Sequence, residues 1–227
     1  MEKRFELFNN VLTTLIDNEV LENLILIGGW CPYFYKFYFN NAPEIPALRT
    51  MDIDFLIPRP LSIKNDVDVG SVLEQLGFSP EHSQLTGYVK FVHPDLEIEF
   101  LTPEYGKGED KPFYVKKLHI SAQQLRYLNL LQKYTIEVPF GKSKIRVPEP
   151  SAYVLHKFIL STKRKDNKKK EKDIIAAKEM GEFLLQSMEE RNKLMKIYRD
   201  SPKGWQKTLN KILKHSFNDL YSFLKDK

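Results

Sequence analysis

The sequence predicts an α+β protein, in which short strands and helices share the first 148 residues and helices alone follow. Three observations predict it. In Arg49-Thr50-Met51-Asp52-Ile53-Asp54-Phe55-Leu56-Ile57, apolar Met51, Ile53 and Phe55 alternate with Thr50, Asp52 and Asp54, the period of a strand with one face on a core. Leu96, Ile98 and Phe100 alternate in the same way with Glu97 and Glu99. From Ser151 onward the apolar spacing becomes helical and stays so.

In chain order, Phe5, Phe8, Val11, Leu12 and Leu15 predict an amphipathic helix over 2–18. Leu24-Ile25-Leu26-Ile27 reads as a short buried strand ended by Gly28-Gly29, and a densely aromatic helix follows from Trp30 to Phe39 with Pro32 in its first turn. Its Tyr33, Tyr35 and Tyr38 are expected in core packing rather than stacked on a base. Pro43 and Pro46 mark a loop into the acidic strand, which ends at Pro58-Arg59-Pro60. Ser62 is expected to cap a helix reaching Leu76, with Gly77 as its stop. Residues 87–93 and 96–101 form a predicted hairpin around Pro94-Asp95. Further strands are expected at 113–119, 134–140 and 144–148, the last two turning at Gly141-Lys142. The predicted helices after Pro150 are 151–163, 171–188, 189–200 and 203–225, with a break near Ser216.

Composition narrows the function classes. With 42% hydrophobic and 29% charged residues the chain reads as an ordinary globular protein. It has no apolar run of the roughly 18 residues a bilayer span needs, and its start lacks a signal peptide's apolar segment, so a cytoplasmic, membrane-free protein is expected. One cysteine, Cys31, excludes an internal disulfide and a cysteine zinc site, and its apolar aromatic surroundings suit packing better than nucleophilic chemistry. The net charge of +5 resides in 163–172, where seven Lys/Arg meet two acids; the rest balances at 28 against 28. That run suits either a solvated loop or a phosphate-facing patch for nucleotide or RNA.

Two carboxylates on one strand face repel each other, a cost that a cation between them removes, and oxygen donors suit Mg²⁺ or Mn²⁺. Alone, Asp-x-Asp equally suits the wet face of a plain strand. Should the Glu97/Glu99 strand lie beside it, three carboxylates converge on a pair of ions roughly 3.5–4 Å apart. Gly28-Gly29 between a strand and a helix is a phosphate-approach geometry, because glycine admits positive φ and the helix start offers unpaired N–H groups. As a bare motif it also suits an ordinary turn.

Taken in order, Ile27-Gly28-Gly29-Trp30, Arg49 to Phe55, Leu96-Glu97-Ile98-Glu99-Phe100-Leu101-Thr102-Pro103, and a helical part with Leu155-His156-Lys157, Arg164 and Lys172-Asp173-Ile174 resemble the nucleotidyltransferase superfamily that includes DNA polymerase β. Within it they are most similar to minimal and AbiEii-like bacterial nucleotidyltransferases. The resemblance implies a nucleotidyltransferase-type mixed β-sheet with flanking helices, as a catalytic domain over 1–148, and a helical C-terminal domain over 149–227. It implies that Gly28 and Gly29 hold an NTP, ATP among the candidates, with Arg49, Thr50, Lys157 and Lys172 as further nucleotide contacts. Asp52, Asp54 and a third carboxylate would be catalytic and bind Mg²⁺ or Mn²⁺. Glu97 and Glu99 both suit the third place, and Glu99 is preferred because it opens the Glu-Phe-Leu-Thr-Pro run. The implied activity moves an NMP to a hydroxyl and releases pyrophosphate. RNA or tRNA is the leading acceptor, reached through 163–172, with a toxin–antitoxin role and an antitoxin partner to match. A non-catalytic nucleotide- or partner-binding module and an aminoglycoside-type small-molecule nucleotidyltransferase stand as alternatives.

Overall fold

The computed structural model describes residues 2–42, 45, 50–83, 87–106 and 111–225. Its first helix, α1 (Glu2–Asp17), buries Phe8, Val11, Leu12 and Leu15 at the predicted spacing. A fully buried strand β1 (Ile25–Ile27) follows and ends in one tight turn at Gly28–Trp30, which passes directly into α2 (Cys31–Tyr38). Here the aromatic residues pack. Trp30 stacks on Phe8 with ring centroids 3.7 Å apart, and the buried Tyr35 hydroxyl donates to the Pro148 carbonyl at 2.9 Å. Cys31 is fully buried, and burial pushes its thiol up to about 12. It is inert packing, as the sequence suggested.

The sheet is mixed. β2 (Asp52–Leu56) lies between antiparallel β1 and parallel β5 (Glu97–Pro103), and β4 (Val89–Val92) and β3 (Ser79–His82) continue antiparallel beyond β5. The latter half of β5 turns instead to β7 (Ile120–Leu125), which carries β6 (Phe113–Val115) on its other side. β8 (Thr135–Phe140) and β9 (Ser143–Pro148) form the expected hairpin, with Gly141 at φ +59°. The fold is therefore the predicted α+β arrangement, with a mixed sheet flanked by helices and a helical C-terminal part.

Several local expectations need correcting. The helix predicted from Ser62 is α3 (Val69–Glu74), because Asp68 caps it by accepting from the Ser71 amide at 3.1 Å. The stretch before it is tied elsewhere: Val67 N–H donates to the Lys117 carbonyl, and Asp66 pairs with His119 at 2.6 Å. Met51 does not face the core; it precedes the strand and is 41% exposed. The predicted strand over 113–119 stops at Val115 and turns through His119 at φ +53°, so that β7 can form. Neither β7, nor α4 (Leu128–Lys133), nor β3 was anticipated. β3 is a polar edge strand exposed along its whole length and leaves no apolar alternation to read.

The C-terminal part comprises α5 (Pro150–Ser161), α6 (Asn167–Leu184), α7 (Met188–Asp200), α8 (Lys203–Ser216) and α9 (Asn218–Lys225), with buried Phe217 at the predicted break. Most of the basic run is not a loop, since Asp166 caps α6 and residues 167–172 are its first turns. One set of buried apolar side chains runs from Phe8 in α1 to Leu224 in α9.

Glu149 caps α5, accepting from the Ser151 and Ala152 amides at 2.7 and 3.1 Å. Burial, with Glu190 nearby, pushes its carboxyl up to about 7. The folded state therefore holds this proton more tightly than the unfolded chain, so its stabilising contribution is lost as pH rises from 4.5 through 7. Glu149→Gln keeps the cap acceptor and removes the titration. Thermal melts at pH 5 and pH 8 should show a smaller alkaline decline for this variant than for the wild type, the difference being on the order of 2 kcal/mol.

Candidate active site

Parallel pairing of β2 and β5 aligns Asp52 with Glu97 and Asp54 with Glu99. On the opposite face Ile53, Phe55, Ile98 and Phe100 are fully buried, Phe55 stacking on Phe100 at 5.8 Å, so packing fixes which way the acids point. Four carboxylates thus share one face of two neighbouring strands.

The two glutamates are handled differently. Lys90 of β4 sits opposite Glu99 in register, yet its Nζ reaches Glu97 at 2.9 Å and Glu81 at 3.7 Å. Glu97 is thereby neutralised. Glu99 is met by the Tyr88 hydroxyl, a neutral donor, and acts on Asp54 through space. Asp54 is half-buried and is pushed up to about 7, first by burial, then by Glu99, with Asp52 adding and Lys157 and Arg164 opposing. Among the described residues its carboxylate makes no hydrogen bond or ion pair.

Gly28, at φ +74°, lies against this carboxylate: a Cβ built on it would stand 1.9 Å from Asp54 Oδ2. A Cβ on Gly29 would stand 2.9 Å from Thr50 Cγ2. The glycine pair lets the turn lie directly on the acidic strand. Thr50 is buried, and its Oγ1 accepts from the Asp52 amide at 3.3 Å, which steadies the start of β2.

From the helical part, Lys157 of α5 donates to Asp173 Oδ1 at 2.6 Å, and Arg164 Nε donates to Asp173 Oδ2 at 2.9 Å. Asp173 is only 3% exposed; burial pushes its carboxyl up, but the two cations outweigh that and hold it below the usual carboxylate range. Both cations therefore have a fixed anchor and still act on Asp54 through space. Lys172, the neighbour of Asp173, is exposed on the outer side of α6, and Arg49 lies outside the described residues. Lys90, Tyr88 and Asp173 were not anticipated as site residues. For the first two no sequence signal existed, because the pairing of β4 with β5 brings Lys90 to Glu97 and Tyr88 to Glu99.

The group suits a divalent cation in its chemistry: every donor is a carboxylate oxygen, and the half-buried Asp54 beside Glu99 carries a repulsion that a cation would relieve. As they stand, no three His, Cys, Asp or Glu side chains among the described residues are gathered to hold an ion. The carboxylates share the face without converging on one point. No helix among the described residues is long and apolar enough to cross a membrane.

A family model described as nucleotidyltransferase matches residues 7–200. No curated protein matches the chain. Among solved structures the chain is similar to an antigenic nucleotidyltransferase-like protein from Paracoccidioides brasiliensis, at 12% identity over 96% of this chain and 93% of that one, with a TM-score of 0.49. It is also similar to the antibiotic-resistance factor ANT(2'')-Ia, at 14% identity over 88% and 92%, with a TM-score of 0.45. A tRNA nucleotidyltransferase solved with a primer tRNA and an incoming ATP analog shares 11% identity over 88% of this chain and 58% of that one, with a TM-score of 0.25. At such scores none of the three assigns chemistry to this chain.

Proposed function

This chain belongs to the nucleotidyltransferase family, and on that premise we propose that it transfers an NMP from an NTP, with ATP among the candidates, to a hydroxyl acceptor, in a reaction dependent on Mg²⁺ or Mn²⁺. The observation that carries this reading is the in-register pairing of Asp54 with Glu99 directly beneath Gly28. Asp52, Asp54 and Glu99 would hold the cation, which when bound neutralises charge developing on the phosphoryl oxygens. Gly28 and Gly29 offer backbone N–H groups to the triphosphate. Lys157 and Arg164, anchored on Asp173, oppose its negative charge, with Arg49 as a bidentate contact and Lys172 as a further phosphate contact. Thr50 contributes by steadying Asp52. Glu99 takes the proton of the acceptor hydroxyl as that oxygen bonds to the α-phosphorus; the bond to the bridging oxygen breaks, and pyrophosphate leaves.

RNA is the acceptor we favour, and with it a toxin-like role opposed by an antitoxin partner. The supporting observation is that the basic run 163–172 includes Arg164, one of the two cations acting on Asp54. The test is incubation with α-labelled NTPs and Mn²⁺, with and without total RNA. Label should appear on RNA and should fall several-fold when Lys168, Lys169 and Lys170 are replaced by Gln, with a loss that shrinks at high salt. Label unaffected by these replacements would remove the basic run from the acceptor path.

A further inference from the structure

α8 (Lys203–Ser216) buries Leu209 and Leu213, and Trp205 and Ile212 pack against the same core. Its outer side carries Lys203, Lys207, Lys211 and Lys214, all exposed. At 1.5 Å and about 100° per residue these four lie in a row about 16 Å long and within an arc of about 80°. The helix contains no Asp or Glu, and among the described residues none of the four lysines makes an ion pair. On neighbouring α7 the pattern is the ordinary one, with Lys193 paired to Glu189 and Glu190 at 2.8 and 2.7 Å. The even charge balance outside 163–172 therefore conceals a second one-sign surface. Stability does not account for it, because like charges at i, i+4 repel one another.

We propose that this lysine face is a docking surface for the phosphodiester backbone of RNA. Lysines four residues apart advance about 6 Å, a step comparable to the separation of successive phosphates along a strand. Trp205 is engaged by Tyr127 edge-on at 5.2 Å rather than free to stack on a base. The surface so described grips backbone without reading sequence. α8 packs on α5, the helix that carries Lys157. The inference rests on the reading that the acceptor is RNA: α8 would hold its body while its hydroxyl reaches Glu99.

The test is titration of fluorescent total tRNA, without NTP or divalent metal, into the wild type and a variant with Lys203→Gln, Lys207→Gln, Lys211→Gln and Lys214→Gln. Gln is as good a helix former as Lys, so the thermal midpoint should stay in place and report that the variant folds. The expected result is binding weakened at least about tenfold at low salt, with the log–log salt slope reduced by about 3, the loss of four phosphate contacts. Unchanged affinity and slope in the folded variant would overturn the proposal. Equally tight binding of polyglutamate would overturn it in favour of an acidic protein partner. If the wild type fails to bind tRNA the docking surface falls, while NTP-dependent pyrophosphate release, measured separately, continues to decide the transfer reaction.

Discussion

Asp54→Asn should abolish nucleotidyl transfer, by about 10³-fold or more, and at the same time raise the thermal midpoint of the protein measured without divalent metal. The activity loss follows from removing the one carboxylate that pairs with Glu99 in register and lies against Gly28. The gain in stability follows from the same position. Burial and Glu99 oppose the charge of Asp54, and no hydrogen bond or ion pair among the described residues offsets that. An amide of the same shape avoids the repulsion, an effect on the order of 1–2 kcal/mol for a half-buried group. Label-transfer assays and melting curves on one preparation check both halves. A variant that loses both activity and stability would make Asp54 an ordinary structural residue.

Gly28→Ala carries the second large effect. Gly28 has φ +74°, which an L side chain rarely adopts, and a Cβ there would stand 1.9 Å from Asp54 Oδ2. Both the backbone turn and the Asp54 rotamer must then shift, at an expected cost of about 2–4 kcal/mol in stability, with transfer lost as the carboxylate is displaced. Gly29→Ala meets the Thr50 side chain only at 2.9 Å, and its φ is not in the left-handed region, so it should cost less. Urea unfolding of the two variants separates these positions; equal stabilities would mean that the turn relaxes freely.

The parts of the site legible in the sequence are those that a two-residue period displays. Asp52, Asp54, Glu97 and Glu99 fall on one face each of two strands by alternation alone, because Ile53, Phe55, Ile98 and Phe100 have to point the other way. That the two strands are neighbours, and parallel in the register joining Asp54 to Glu99, is a long-range property carried by no local pattern. The preference for Glu99 came from resemblance. A physical reason appears only in the fold, where Lys90 pairs with Glu97 while Glu99 stands in register with Asp54. Lys157, Arg164 and Asp173 were visible as a spacing, but the burial of Asp173 that ties them together was not. Ser62 misled because Asp68, an equally good cap whose side chain accepts from the Ser71 amide, stands nearer the apolar stripe. The α8 lysines were hidden by counting charge over the whole chain, where acids on other elements cancelled them.

The central claim, transfer at the α-phosphorus, is tested most directly by giving the protein NTP labelled at the α-phosphate and, in a parallel reaction, at the γ-phosphate, with Mn²⁺ and RNA. The α-label should become attached to the acceptor while the γ-label leaves as pyrophosphate in equal amount, both lost in Asp54→Asn. A γ-label found on the acceptor or released as orthophosphate would contradict it, because the bond broken would then be the terminal one.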